Sequence, residues 1–165
     1  MEDYHIDLSV RLFDEGATGI ACVGAETKKH NGCVLSRKLK KDIDKHICSL
    51  TSSKNRAMIY AICIYYLIRN NLENVKRLII CNDENFVYTR EYLHHLLNDE
   101  NYSFKIISIT EFQKILGRNV KSLADNYARQ YRKRGLSEHR WNKGHRLDVA
   151  KINFRMIKNK YVSDE

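Results

Sequence analysis

Apolar residues change their spacing along this chain, and the changes divide it into elements. In Tyr4–Leu12 they alternate. Ile6, Leu8, Val10 and Leu12 share one side, and His5, Asp7, Ser9 and Arg11 the other, which is the period of a β-strand. Phe13-Asp14-Glu15-Gly16 reads as a turn, Thr18–Val23 as a second strand and Cys33–Leu39 as a third. The polar connection Lys28-Lys29-His30-Asn31-Gly32 carries an Asn-Gly turn signal, and connections this short make the three strands antiparallel neighbours.

A helical period follows. Thr51, Ser52 or Ser53 supplies the cap for a helix running to about Asn70, with Met58, Ala61, Ile62, Tyr65 and Ile68 as a stripe. Ile59 and Ile64 lie off that stripe, so the helix is expected to be buried on most sides. Val75–Cys81 is a short apolar run suited to a covered parallel strand. Glu84–Leu97 reads as a helix over Phe86, Tyr92, Leu93, Leu96 and Leu97, and Phe104–Ile109 as a fifth strand. Thr110 then caps a short helix over Phe112 and Leu116 that ends near Gly117. Next comes a basic amphipathic helix, with Val120, Leu123, Ala124, Tyr127 and Tyr131 inward and Lys121, Arg129, Arg132, Lys133 and Arg134 outward. Gly135–Gly144 reads as a loop. Beyond it, the spacing of Leu147, Ala150, Phe154, Ile157 and Tyr161 predicts a last helix that opens at Asp148.

The order β-β-β-α-β-α-β, then helices, implies an α/β fold: a mixed five-stranded sheet, three antiparallel strands followed by βα units, flanked by helices. With no proline, no internal repeat and no low-complexity stretch, residues 1–165 read as one domain.

Charge narrows the partners. A net charge of +9 and a pI near 9.3 favour a polyanion. The richest apolar run, Ala57–Ile68, is far short of the ~20 residues of a membrane span, so no membrane is expected. Met1-Glu2-Asp3 is acidic and lacks the positive region of a secretory signal. The five cysteines are odd in number and scattered, without a Cys-x-x-Cys pair, which argues against a disulfide framework and a structural zinc site. Reduced thiols in a cytoplasmic protein are the simplest reading, with Cys22, Cys63 and Cys81 as small core residues.

Three acids stand apart from this pattern. Asp7 lies inside the first strand, although aspartate is depleted in strands. Asp83 ends the run Ile79-Ile80-Cys81-Asn82-Asp83, and Asp148 opens the last helix in Leu147-Asp148-Val149-Ala150. Carboxylates at such points suit a magnesium site, because Mg2+ takes hard oxygen ligands and substrate phosphates. Each acid also has a plain structural reading: Asp7 as an exposed strand residue, Asp83 as a helix cap, Asp148 as a favourable first-turn charge.

Taken in order, Asp7-Leu8-Ser9, Asp83 and Asp148 resemble the ribonuclease H-like superfamily. Its first strand carries an Asp-x-Ser aspartate, its fourth strand ends in an aspartate, and its last helix begins with one. Thr51–Met58 resembles the polar loop that opens the family's central helix, and His139 stands near the place of a mobile histidine. The resemblance implies a Mg2+- or Mn2+-dependent endonuclease that hydrolyses phosphodiester bonds in RNA, RNA/DNA hybrid or DNA, with RNA or the hybrid favoured. Asp7, Asp83 and Asp148 would be the metal ligands and His139 a proton shuttle. Family chemistry uses two ions about 4 Å apart.

Two departures accompany the likeness. The family's glutamate in the central helix is missing: Arg56, Ala57 and Met58 stand there, and Lys28 to Leu72 contains no glutamate. Glu84 and Glu15 are the acids available to replace it. A basic helical insertion at about 110–134 also separates the fifth strand from the His139 loop. The alternative is therefore a catalytically inactive module of the same fold that binds nucleic acid or a protein partner. In either case the expected nucleic-acid surface is Arg129, Arg132, Lys133 and Arg134 with Arg140, Trp141 and Lys143, and Tyr127 and Tyr131 beside them. The plain reading of these tyrosines, at i and i+4, is core; that of His139 and His145 is solvent-exposed loop, and that of His94-His95 is a helix surface.

Overall fold

The computed structural model describes residues 1–136, 141–142 and 145–161; for 141, 142 and 145 only the backbone is described. Strands β1 (Glu2–Leu8), β2 (Thr18–Gly24) and β3 (His30–Leu35) form the antiparallel meander that the alternation predicts. Helices α1 (Arg37–His46) and α2 (Ser53–Ile68) follow, then β4 (Val75–Ile80), α3 (Phe86–Leu96) and β5 (Lys105–Ser108). The described chain continues with α4 (Ile109–Leu116), α5 (Asp125–Arg134), the short pair β6 (Trp141–Asn142) and β7 (His145–Arg146), and α6 (Phe154–Lys160). The large sheet has the order β3-β2-β1-β4-β5, with β4 parallel to both β1 and β5.

Period-two alternation divides the sheet residues between two layers. Ile6, Leu8, Ile20, Cys22, Cys33, Leu35, Leu78, Ile80 and Ile106 face a core filled by α2. That helix buries every residue from Ala57 to Tyr65, as its all-round apolar character predicts, and Ser52 caps it by accepting from Asn55 N–H. On the opposite face Ala21, Val23 and Val34 meet Ala124, Ala128 and Tyr131 of the α5 region, while Ile79 and Ile107 meet Phe112 of α4. Helix α5 approaches the sheet closely because its floor is small. A Cβ on Gly19 would collide with the Ala128 carbonyl and the Arg132 backbone, and one on Gly32 with the Tyr131 ring.

Several boundaries differ from the sequence expectation. β1 stops at Leu8 rather than Leu12, because Leu12 folds back and gives its N–H to the buried Glu84 carboxylate at 2.9 Å. The third strand stops at Leu35 rather than Leu39. Ser36 accepts from Leu39 N–H and starts α1, a helix the alternation concealed. In α1, Lys40 is buried and its ammonium donates to the carbonyls of Asp14 and Gly16 at 2.8 and 2.9 Å, holding the β1–β2 loop. Ser108, not Thr110, caps α4. The basic helix begins only at Asp125. Leu123 is 39% exposed, and Val120 packs with Ile79 and Phe112 instead.

The last helix needs the largest correction. It begins at Phe154, capped by Asn153, and Asp148 does not open it. Leu147 lies under α5 while Ile157 reaches the α2 core. Residues at helical spacing thus serve opposite sides of the sheet, with an extended segment between them.

Candidate metal centre

Chain topology brings two of the three predicted acids together. β1 and β4 are adjacent and parallel, so their carboxyl ends open at one place, the usual position of a ligand crevice in an open α/β sheet. Asp7 is the penultimate residue of β1. Cys81 N–H donates to the Ile6 carbonyl at 3.1 Å, carrying the β1–β4 ladder one residue past β4. A ligand atom of Asp7, of Cys81 and of Asp83 all lie within 4.8 Å of one another. Asp7 and Cys81 are buried and Asp83 is exposed, so the cluster opens to solvent on one side. Asp83 is not spent on capping α3, because Asn85 does that by accepting from Tyr88 N–H.

The electrostatics are those of a charge held out of water. Asp7 is 5% exposed, and among the described residues no basic group is ion-paired to it. Burial pushes its carboxyl up to about 6, and the negative charges of Asp83 and Asp125 push the same way. Hydrogen bonds from the Cys81 thiol and from Leu8 N–H, the latter at 2.8 Å, offset part of this. Burial and the neighbouring Asp7 also hold the Cys81 thiol well above its ordinary range, and its sulfur lies 3.3 Å from the Tyr60 hydroxyl.

Asp148 is elsewhere. Its carbonyl accepts from Gly32 N–H, and its backbone exchanges hydrogen bonds with the Tyr131 hydroxyl, beyond the β3 edge. Asp7 is level with Ala21, and Ala21 with Gly32, so three neighbour spacings of ~4.8 Å put the Asp148 segment about 14 Å from Asp7. Asp148 instead borders a cleft of about 640 Å³ reaching Glu2 and Val75, at the amino-terminal ends of β1 and β4.

Neither substitute acid joins the centre. Glu84 is buried, and it accepts from Leu12 N–H and from Arg56 Nε at 3.0 Å. Arg56 also donates to the carbonyls of Leu50 and Thr51. Glu15 is exposed in the β1–β2 loop and lies outside the cluster.

Cys81 is buried in the apolar core, as expected, and its sulfur also lies in the cluster with Asp7 and Asp83, a convergence the sequence reading did not foresee. Asp125 was absorbed into the basic helix, although it is the one acid between Glu111 and Glu138. It heads α5, pairs with Arg129 at 3.0 Å and contributes to the field on Asp7. Arg129, Arg132, Lys133 and Arg134 are exposed on α5 beyond it, with the Arg132 guanidinium donating to the Ala17 carbonyl. Tyr131 is buried and Tyr127 packs against the same cluster, as the core reading of these tyrosines has it. His94 and His95 are exposed on α3, also as expected. His139, Arg140 and Lys143 lie outside the described residues, as do the side chains of Trp141 and His145.

No family model, curated protein or solved structure matches this chain. Among the described residues, no helix is long and apolar enough to cross a membrane.

Asp7, Cys81 and Asp83 are the described residues whose ligand atoms lie close enough together to share one cation.

Proposed function

We propose that the chain is a metal-dependent phosphodiester hydrolase of ribonuclease H-like type acting on nucleic acid. The observation that carries the reading is the buried carboxyl of Asp7, without a cationic partner among the described residues, close to Asp83 at the carboxyl ends of two parallel central strands. The strand order β3-β2-β1-β4-β5 supports it, since the resemblance expects three antiparallel strands and then βα units.

In this reading Asp7 and Asp83 hold the cation, and Asp125 adds negative charge beside it. A bound divalent ion would supply Lewis acidity at a phosphoryl oxygen and acidify water. The cluster's exposed side, at Asp83, admits the phosphodiester. Helix α5 runs from Asp125 into Arg129, Arg132 and Lys133, so positive charge begins next to the acidic centre and binds flanking phosphates.

A cleavage assay on labelled RNA/DNA hybrid, RNA and DNA, with Mg2+ or Mn2+, tests the proposal. Asp7→Asn is expected to abolish cleavage while nucleic-acid binding persists. Cleavage that survives Asp7→Asn overturns it. The absence of an acid at Arg56, Ala57 and Met58, with Arg56 paired to Glu84, favours a second reading, an inactive module that binds nucleic acid or a protein partner. Salt-sensitive binding with no turnover in either ion would establish that reading.

A further inference from the structure

The cleft of about 640 Å³ lies at the opposite end of the sheet from the acidic centre, beside the amino-terminal ends of β1 and β4. That volume suits a small organic ligand. The buried residues Cys22, Leu67, Ile68 and Val75 give the cleft apolar surface. Neutral hydrogen-bonding side chains border it as well, among them Tyr4, Asn31, Asn71 and Asn74.

Two of these groups keep hydrogen-bonding capacity. Asn74 donates its amide to Asn71 Oδ1, and Asn71 donates in turn to the Tyr4 hydroxyl at 2.8 Å. Each donation orients the next group, so the relay ends on a hydroxyl whose own proton has no acceptor among the described residues. Tyr4 is 6% exposed, so this donor is withdrawn from bulk water at the wall of the cleft. A buried donor left unmet is costly, and an acceptor on a bound ligand would meet it. Asn31 supplies the converse group. Its Nδ2 donates to the Leu67 carbonyl at 2.8 Å, which leaves its Oδ1 to accept.

The cleft does not select a charged ligand. The buried Glu2 carboxylate is satisfied by the N–H groups of Glu26 and Thr27 and by the Thr27 hydroxyl. At the border, exposed Lys29 stands with exposed Glu26 and Asp148, so the side-chain charges of the rim have no common sign to draw in a phosphate.

These features call for an uncharged ligand with apolar faces and with both an acceptor and a donor on its edge. A polyol carries hydroxyls on every side, whereas a nucleobase is planar, with apolar faces and an edge of donors and acceptors. We propose that this cleft binds a nucleobase, with Tyr4 donating to it and Asn31 accepting from it. The site stands independently of the acidic centre and of the hydrolase reading. A free nucleoside and an unstacked nucleotide of a bound strand present the same chemistry.

The test follows the amide NMR shifts of the full chain on adding adenosine, guanosine, cytidine or uridine, with glucose as the polyol control. Saturable shifts at Tyr4, Asn31, Leu67 and Val75 are expected with at least one nucleoside in the millimolar range, and none with glucose. Tyr4→Phe keeps the ring, removes only the hydroxyl and should weaken that nucleoside about tenfold. Asn74 is exposed, so Asn74→Ala should fold as the natural chain does. It frees the Asn71 amide to turn and accept from Tyr4, which consumes the donor, and should also weaken binding.

No shifts with any nucleoside, shifts with glucose equal to theirs, or an affinity unchanged by Tyr4→Phe overturns the proposal. If Tyr4→Phe loses its fold, an affinity unchanged in Asn74→Ala overturns it instead. A short single-stranded oligonucleotide separates the two sources. The same shifts at higher affinity than the nucleoside uphold the site as one for a base within a strand. Weaker or absent shifts uphold it as one for a free nucleoside.

Discussion

Replacing Asp7 by asparagine should stabilise the metal-free protein, although it removes the residue most central to the proposed chemistry. The Asp7 carboxyl sits at about 6 in the folded chain against an ordinary 3.8, chiefly because it is buried. A gap of about two pH units corresponds to about 3 kcal/mol. A raised value means that the folded chain holds this proton more tightly than the unfolded one. The associated stability is complete below pH 3.8 and is lost as pH rises through 6. Asparagine keeps an oxygen for Leu8 N–H and carries no charge. Asp7→Asn is therefore expected to be more stable than the natural chain by about 3 kcal/mol at pH 7.5 in the presence of a chelator. In a chain of this size that is about 6–12 °C in Tm. The advantage should shrink toward zero near pH 4. Thermal or urea unfolding of both proteins across pH 4–8 measures it. A variant that is less stable at pH 7.5, or an offset that does not change with pH, would refute the argument from burial. Adding the divalent ion should then raise the Tm of the natural chain alone, because only it binds the ion in the folded state.

Other outcomes follow from neighbouring groups. His5 is buried against Phe112, its Nδ1 has no hydrogen-bond partner among the described residues, and burial lowers it to about 4. Protonation must therefore cost stability as pH falls from about 6.5 to 4, by about 3 kcal/mol, opposite in sign to Asp7; the pH–stability profile of His5→Leu should lose this acid-side decline. Arg56→Met leaves the Glu84 carboxylate buried beside Leu12 N–H without its cation and should cost about 3–5 kcal/mol in urea unfolding; Arg56→Met with Glu84→Gln should recover much of that loss. If α5 carries the nucleic acid, Lys133→Ala should lower the slope of log affinity against log salt by about 1 without changing sequence preference, as a titration at several salt concentrations would show.

The amino-acid order determined most of the sheet by itself. Alternation in β1 and β2, the apolar run of β4 and the all-round apolar α2 are local signals, because a residue's side in a strand or helix follows from its spacing alone. Local caps decided further ends, and where two polar residues compete, as Ser108 and Thr110 do before α4, only the backbone path selects one. Asp7 and Asp83 stood out as candidates because acids are out of place in and just after apolar strands, and the fold does bring the two together. What spacing could not express is convergence across the sheet. Asp148 has a helix-start sequence, yet its segment is drawn out along β3 because Leu147 and Ile157 serve opposite layers. Asp125 looked like one charge on a basic helix until packing on Gly19 and Gly32 set that helix against β2. Cys81 read as core and is core, and only the parallel pairing of β1 and β4 brings its sulfur within reach of Asp7 as well. Burial of the Asp7 carboxyl belongs to the assembled sheet and its two helical layers and to no segment of the chain alone.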